Sequence, residues 1–122
     1  MLNIQNKNSD VTVGEDGIFV CQYHDNVTLE PEDIQAVIEN YDNYAQERDL
    51  KVLLIFPKNC SVSSAARHAA EKRERPAQAE ALVIESTVQR VLFKFYKRSR
   101  KVSYPIKEFS NRESAIRWLN NR

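Results

Sequence analysis

The chain has 122 residues, of which 42% are hydrophobic and 29% are charged, and its formal net charge at pH 7 is +1. It therefore has the length of one domain and the composition of neither a disordered tail nor a membrane protein. Its longest apolar run, residues 52–56, falls far short of the roughly 20 residues that span a bilayer. Residues 1–10 are polar and hold a single lysine, which does not fit a secretion signal and predicts a cytoplasmic protein.

The N-terminal region predicts a β-hairpin. Residues 11–13 and 18–23 have strand-like composition, and the turn between them holds both glycines of the chain, where a positive φ is useful. Residues 1–9 are predicted to be a flexible segment that precedes a single domain over residues 10–122.

An acidic amphipathic helix is predicted over residues 28–46. Thr28 can cap its start, Pro31 is tolerated in its first turn, and the acids there suit the positive end of the helix dipole. One apolar stripe is expected to face the core: Ile34, Val37, Ile38, Tyr41 and Ala45.

Buried strands and helices alternate along the rest of the chain. Residues 51–56 and 81–85 predict buried strands, and an alanine-rich helix between them begins at Ser63 or Ser64 and ends before Pro76.

The C-terminal third predicts a helix, a strand and a closing helix. The first helix covers about residues 86–98, and its core stripe is Val88, Val91, Leu92 and Phe95. Residues 104–109 form the last strand, where Pro105 favours an edge position. Ser110 and Glu113 predict a capping box for the closing helix, which turns inward Ala115, Ile116 and Leu119.

These elements predict an α/β fold with a single mixed sheet of about five strands, ordered as a β-hairpin followed by α-β-α-β-α-β-α. Strands separated by helices pair in parallel through right-handed crossovers, and the hairpin adds an antiparallel pair. We expect one closed, dry core in which these side chains touch: Ile34, Ile38, Val52, Leu54, Val83, Val91, Phe95 and Leu119.

Several motifs follow one another in a recognisable order: VTLE at residues 27–30, SSAAR at 63–67, ALVIES at 81–86, PIKEFS at 105–110 and ESA at 113–115, with Arg90, Phe95, Trp118 and Leu119. Over roughly residues 10–120 the chain resembles the small stand-alone bacterial STAS-like (SpoIIAA-like) proteins, which are mostly uncharacterised. The C-terminal third is the more specific part of this resemblance. It implies a sheet of about five strands packed by helices.

The resemblance also implies a candidate phosphorylation or anion site at Ser63, Ser64 and Arg67. In the wider superfamily, antagonists of anti-sigma factors dock a partner kinase near the start of the corresponding helix, and a serine there is phosphorylated. Those signalling members carry an Asp-Ser-Gly turn, whereas residues 60–65 here read CSVSSA, without the acid or the glycine. This departure weighs against a phosphorylation switch but leaves the fold prediction intact.

No arrangement of residues predicts an enzyme. Cys60, Ser64 and His68 lie close together in sequence, but catalysis would also need an orienting carboxylate and an oxyanion hole. Cys21 and His24 have C-x-x-H spacing, yet alternation along a strand puts them on opposite faces, so we expect no metal site and no cofactor. Cys21 is expected to be a buried thiol, and a disulfide with Cys60 stays open as an alternative.

Charge is divided unevenly along the chain. Residues 1–50 hold eleven acids and two bases, a net of −9, so residues 51–122 carry a net of +10. Bases interleaved with aromatics crowd the third helix and its exit, and they predict an interaction patch: Arg90, Phe93, Lys94, Tyr96, Lys97 and Arg100. The alternative is a solvated helix end whose cations suit the dipole.

We expect a non-enzymatic regulatory or scaffolding module that binds a protein partner, with a homodimer as one form of association. The alternative is a carrier domain for a small apolar or nucleotide-like ligand, which would need an internal apolar cavity. The near-neutral net charge disfavours nucleic acid as a partner, and weak contact with an anionic membrane surface stays open.

Overall fold

The computed structural model describes residues 1–72, 76–99 and 103–122, without the side chains of residues 95–99. Within these ranges the strands are β1 (Leu2–Gln5), β2 (Ser9–Val13), β3 (Phe19–Tyr23), β4 (Thr28–Leu29), β5 (Lys51–Phe56), β6 (Ser61–Val62), β7 (Ala79–Ile84) and β8 (Ile106–Phe109). The helices are α1 (Pro31–Ala45), α2 (Ser64–Glu71), α3 (Thr87–Ser99) and α4 (Arg112–Asn120). No helix in the described part of the chain is long and apolar enough to cross a membrane.

One main sheet holds six strands in the order β1-β2-β3-β5-β7-β8. The first three strands pair antiparallel and the last four pair in parallel, which confirms the mixed sheet of the α/β class. β8 lies at the edge of this sheet, as Pro105 predicts. β4 and β6 add a second, two-stranded parallel sheet that the sequence pattern does not predict.

β1 corrects the expectation for the N-terminus. Leu2–Gln5 pair in antiparallel register with β2, so the prediction of a flexible segment over residues 1–9 is wrong for these residues. Leu2 and Ile4 are half-buried and pack on the core, while Asn3 and Gln5 are exposed. This strand is short and its polar residues face solvent, so the polar composition of the segment concealed the alternation.

The two faces of the sheet carry separate cores, because successive side chains along a strand point to opposite faces. Helices α1, α2 and α3 lie over one face, and α4 lies over the other. The expectation of one shared core is therefore wrong: Ile34 and Val52 belong to the face under α1, whereas Val83 and Leu119 belong to the face under α4.

α1 begins two residues beyond its predicted cap. Thr28 belongs to β4, and the N-cap residue is Glu30, whose backbone N–H donates to Oδ2 of Asp33 at 2.8 Å. Pro31 occupies the first turn as predicted, because its missing N–H is not needed there. The predicted apolar stripe is confirmed: four of its members are buried and one is half-buried, namely Ile34, Val37, Tyr41, Ala45 and Ile38.

The N-caps of α2 and α4 are side chains that lie directly before each helix. Ser63 caps α2 as predicted, since its Oγ accepts from the backbone N–H of Ala66 at 3.0 Å. For α4 the cap is Asn111 rather than Ser110, with Oδ1 accepting from the backbone N–H of Ser114 at 2.8 Å. Asn and Ser are comparable caps, so sequence alone does not separate neighbouring candidates.

α3 is rotated about its axis relative to the prediction. Val88 and Val91, expected in the core, are 70% and 52% exposed, whereas Gln89 and Phe93 are buried. The side chain of Phe95, also expected in the core, lies outside the described residues. Burying Phe93 removes more apolar area from water than burying either valine would, which favours the observed rotation.

Candidate functional site

Five aromatic side chains gather between the sheet and helices α1 and α3. The Phe56 ring lies 4.9 Å from that of Tyr23 and 4.6 Å from that of Phe93, measured between ring centroids. On the α1 side, Phe19 and Tyr41 meet edge to face at 5.2 Å. Such pairs are favourable beyond the area that they bury, so these rings form a fixed wall.

Tyr41 is held at its polar end as well as by its ring. Its hydroxyl donates to the backbone carbonyl of Pro76 at 3.0 Å and accepts from the backbone N–H of Leu50 at 3.0 Å. A buried hydroxyl with both a donor and an acceptor partner leaves the ring little freedom. The α1 side of the wall is therefore fixed relative to the loops before β5 and β7.

An apolar pocket lies within this aromatic frame, on the face of the sheet that α1, α2 and α3 cover. Its cavity volume is about 50 Å³, and the space around it opens to solvent through a mouth. The described residues that line it are Phe19, Tyr23, Ile34, Val37, Ile38, Tyr41, Val52, Leu54, Phe56, Val62, Arg67, Ala70 and Phe93. Protein interiors are normally packed to crystal-like density, so an open apolar space of this kind calls for a physical reason.

Arg67 is the charged residue among the described lining residues. It is half-buried on the first turns of α2, where Nη1 donates to the backbone carbonyl of Val62 at 2.8 Å and Nη2 donates to Oγ of Ser64 at 3.2 Å. Both bonds are to neutral groups. Among residues 1–72, 76–99 and 103–122, no carboxylate forms an ion pair with Arg67.

Ser63, Ser64 and Arg67, the predicted phosphorylation or anion site, lie together at the start of α2. The Ser63 hydroxyl is engaged as the helix cap, while Ser64 is exposed. The start of α2 is joined to β4, because the backbone N–H of Ser63 donates to the carbonyl of Leu29 at 3.1 Å. Phosphorylation of either serine stays a prediction.

The predicted interaction patch on α3 is not a single exposed surface. Phe93 is 5% exposed and packs on Phe56, so its role as an exposed anchor is wrong. Arg90 is half-buried and its Nε donates to the carbonyl of Ile84 at 3.1 Å, whereas Lys94 is exposed. The side chains of Tyr96 and Lys97, and Arg100 altogether, lie outside the described residues.

Both cysteines are free and fully buried. Loss of solvation raises the pKa of the Cys60 thiol to about 12, and the negative charges of Asp25 and Asp33 act in the same direction. Burial likewise raises the pKa of the Cys21 thiol. Because the thiolate is the nucleophile and the metal ligand, two thiols that stay protonated at neutral pH do not support either chemistry.

Gln89 and His24 make structural contacts near these elements. Gln89 is buried and its Nε2 donates to the carbonyl of Cys60 at 2.9 Å, which joins α3 to the loop after β5. His24 lies 3.3 Å from Asp10, measured from Nε2 to Oδ1. Within the described ranges, no group of three or more His, Cys, Asp or Glu side chains is placed to hold a metal ion.

The mixed sheet with three helices on one face and one on the other is a SpoIIAA-like α/β fold. It is similar to an uncharacterised protein of the DUF3478 family with a SpoIIAA-like fold from Shewanella loihica PV-4: the TM-score is 0.65 and the identity 12%, over 95% of this chain and 98% of that one. Residues 12–122 match the family described as "Domain of unknown function (DUF7793)", and the chain belongs to this family.

A protein with unknown function from Arthrobacter sp. FB24 is also similar, with 21% identity and a TM-score of 0.35 over 92% of this chain and 99% of that one. No curated protein matches.

The pocket itself is the feature that the sequence does not predict. Its lining comes from six elements, and residues such as Val52 and Leu54 are indistinguishable in sequence from those of a filled core. One signal was present: Arg67 and Ala70, which is small and apolar, are three residues apart on α2 and so share a helix face. A cation next to small residues on an inward face is unusual for a filled core.

Proposed function

We propose that this protein is a non-enzymatic binding domain that takes a small apolar ligand into the pocket between the sheet and helices α1, α2 and α3. The observation that carries the proposal is the apolar pocket framed by the five aromatic rings. Ligand sites are typically concave and apolar, with a few polar groups that set orientation. Leaving such a space unfilled costs stability, so a bound ligand that fills it would stabilise the fold.

Binding of an uncharged dye tests this proposal directly. N-phenylnaphthylamine fluoresces strongly in apolar surroundings, and we expect saturable binding with one dye per chain. Ala70→Phe places a ring in the pocket from α2, and it should weaken binding at least about tenfold, the equivalent of about 1.4 kcal/mol. Ala65→Phe, at an exposed position of the same helix, is the matched control and should bind as the wild type does.

Two results would contradict the proposed ligand binding. If the wild type shows no saturable increase in fluorescence, or if Ala70→Phe and Ala65→Phe bind the dye equally well, the pocket does not bind apolar ligands. Circular dichroism of both variants separates loss of binding from loss of fold.

A regulatory or scaffolding interaction module is the second candidate, and one observation favours it. Val88 and Val91 are exposed apolar side chains one turn apart on α3, with the exposed cation Lys94 one further turn along. Apolar side chains beside cations suit a protein partner. Both cysteines being free thiols supports a cytoplasmic setting for either function.

Affinity capture with variants of α3 and a control on α2 tests whether the exposed face of α3 binds a protein partner. A partner captured from the source cell by the wild type should be lost with Val88→Asp and Val91→Asp, and kept with Ala65→Asp, which is exposed on α2. If the captured proteins are the same for all three variants, the exposed face of α3 is not an interface.

A further inference from the structure

We propose that the ligand of this pocket is a monocarboxylate with an apolar tail, and that Arg67 pairs with its carboxylate. This inference rests on the proposed ligand-binding function and adds the chemical class of the ligand. It starts from the position of a positive charge on the wall of an otherwise apolar pocket.

The Arg67 guanidinium has more N–H donors than its two hydrogen bonds use. A guanidinium offers five N–H groups, and the two hydrogen bonds to Val62 and Ser64 use two of them. Those bonds hold the side chain in place across the first turns of α2, so the remaining donors are fixed in direction before any ligand arrives. A fixed planar fork with free donors matches a carboxylate, which accepts two parallel hydrogen bonds.

The charge of Arg67 is also unneutralised within the described part of the chain, where its partners are a carbonyl and a hydroxyl. A half-buried cation beside apolar side chains loses part of its hydration, and a carboxylate in the same place would restore that loss. The pairing would be stronger there than on an open surface because the apolar walls lower the local dielectric.

The remainder of the lining defines the rest of the ligand. Next to Arg67 the wall consists of Val62 and Ala70, and α1 contributes Ile34, Val37 and Ile38. These aliphatic side chains would contact a hydrocarbon tail and would leave polar substituents unsatisfied. A single cation among the described lining residues favours a singly charged carboxylate over a phosphate, whose second charge would be unpaired.

Three ligands of equal tail length decide the question: decanoate, decanol and decyl phosphate, each competing with N-phenylnaphthylamine. We expect decanoate to bind the wild type at least about tenfold more tightly than decanol, since a charge-assisted pair is roughly twice as strong as a neutral one. Decyl phosphate should bind more weakly than decanoate. These comparisons use only the wild-type protein, so they do not depend on a variant folding.

Variants then assign the preference to Arg67. Arg67→Met should abolish the preference for decanoate while leaving decanol binding within about twofold, and Arg67→Lys should keep part of it as a point charge. Arg117→Gln, at an exposed position on α4, is the matched control and should retain the full preference.

The possible results distinguish failure of the carboxylate inference from failure of the proposed ligand binding. If decanol and decanoate bind the wild type equally, or if Arg67→Met keeps the preference, the carboxylate inference is overturned while ligand binding stands. If decyl phosphate binds most tightly, the anion is a phosphate and the inference is likewise wrong. If none of the three displaces the dye and the dye itself does not bind, the proposed function fails first.

Discussion

Asp33 is a buried carboxylate that joins two parts of the fold. Its Oδ2 accepts from the backbone N–H of Glu30 at 2.8 Å, and its Oδ1 accepts from Nδ2 of Asn8 at 3.0 Å. Asp33→Ala should lower the free energy of unfolding by about 1–2 kcal/mol, because it removes the acceptor for the backbone N–H of Glu30 at the start of α1 and leaves Asn8 without this partner. Urea denaturation measures the change.

Glu32 provides the control for Asp33. It lies in the same first turn of α1 and is exposed, so Glu32→Ala changes the charge near the helix dipole without removing a buried hydrogen bond. Its effect should stay below about 0.5 kcal/mol. Equal losses in the two variants would mean that Asp33 acts only through its charge.

The Cys60 thiol makes stability depend on pH in the alkaline range. Its pKa rises from an ordinary value of 9.0 to about 12 in the folded protein because it is buried. Well below pH 9 the thiol is protonated in both the folded and unfolded states, so its contribution is constant. As the pH rises from 9 towards 12, only the unfolded state releases the proton, and the free energy of unfolding must fall.

Comparison with Cys60→Ala isolates this contribution from other groups that titrate in the same range. We expect the wild type to lose more stability than Cys60→Ala between pH 9 and pH 12 in urea denaturation. Iodoacetamide should label neither cysteine of the native protein at neutral pH, and both after unfolding. Rapid labelling of native Cys60 would contradict its burial.

At the scale of elements, α3 offers a direct test of which side faces the sheet. Phe93→Ala should cost about 3–5 kcal/mol of unfolding free energy, because it removes a buried ring that packs on Phe56. Val88→Ala and Val91→Ala should each stay within about 0.5 kcal/mol, since both side chains are exposed. If Val88→Ala and Val91→Ala cost more unfolding free energy than Phe93→Ala, the valines face the sheet, as the sequence pattern predicts.

Elements with an unambiguous hydrophobic pattern could be predicted from sequence. β5 has its predicted bounds, 51–56, because a short continuous apolar run is typical of a strand buried on both faces. The α1 stripe points inward as predicted because polar residues occupy the other side of that helix. The hairpin turn also follows from sequence, since Gly17 adopts the φ of +76° that favours glycine. In all three cases, residues close together in sequence are enough to predict the structure.

α3 could not be oriented from sequence because it is apolar on more than one side. Valines, leucine and aromatics occupy positions 88, 91, 92, 93, 95 and 96, so no single stripe stands out. The choice is made by Tyr23 and Phe56, which lie far away in sequence and form the stack that Phe93 completes. The pocket has the same origin, since its lining residues come from elements that lie far apart in sequence.

At the scale of the whole molecule, the division of charge survives folding. α1 exposes the acids Glu32 and Glu39, and α3 carries the exposed Lys94 and the half-buried Arg90. α2 packs against both helices, on the same face of the sheet, and so lies between them. The acidic and basic helices are therefore separated, and their fields do not cancel by direct contact.

This separation predicts self-association that depends on salt. Two copies can pair α1 of each with α3 of the other about a two-fold axis, which matches both charged surfaces at once. Val88 and Val91 take the place of Phe93 as the apolar contact, because they are exposed on α3 and Phe93 is not. Charge steers such an encounter and the apolar contact holds it.

Sedimentation velocity across a range of salt concentrations measures this association. The Debye length is about 30 Å at 0.01 M salt and about 3 Å at 1 M, so we expect dimers at low salt and monomers at high salt. Glu39→Lys or Lys94→Glu alone should weaken the dimer, since both side chains are exposed and each change places like charges together. The double variant restores opposite charges and should dimerise again. Monomers at every salt concentration would show that the two charged helices form no interface between copies. The same conclusion would follow if the double variant dimerised no more strongly than the single variants.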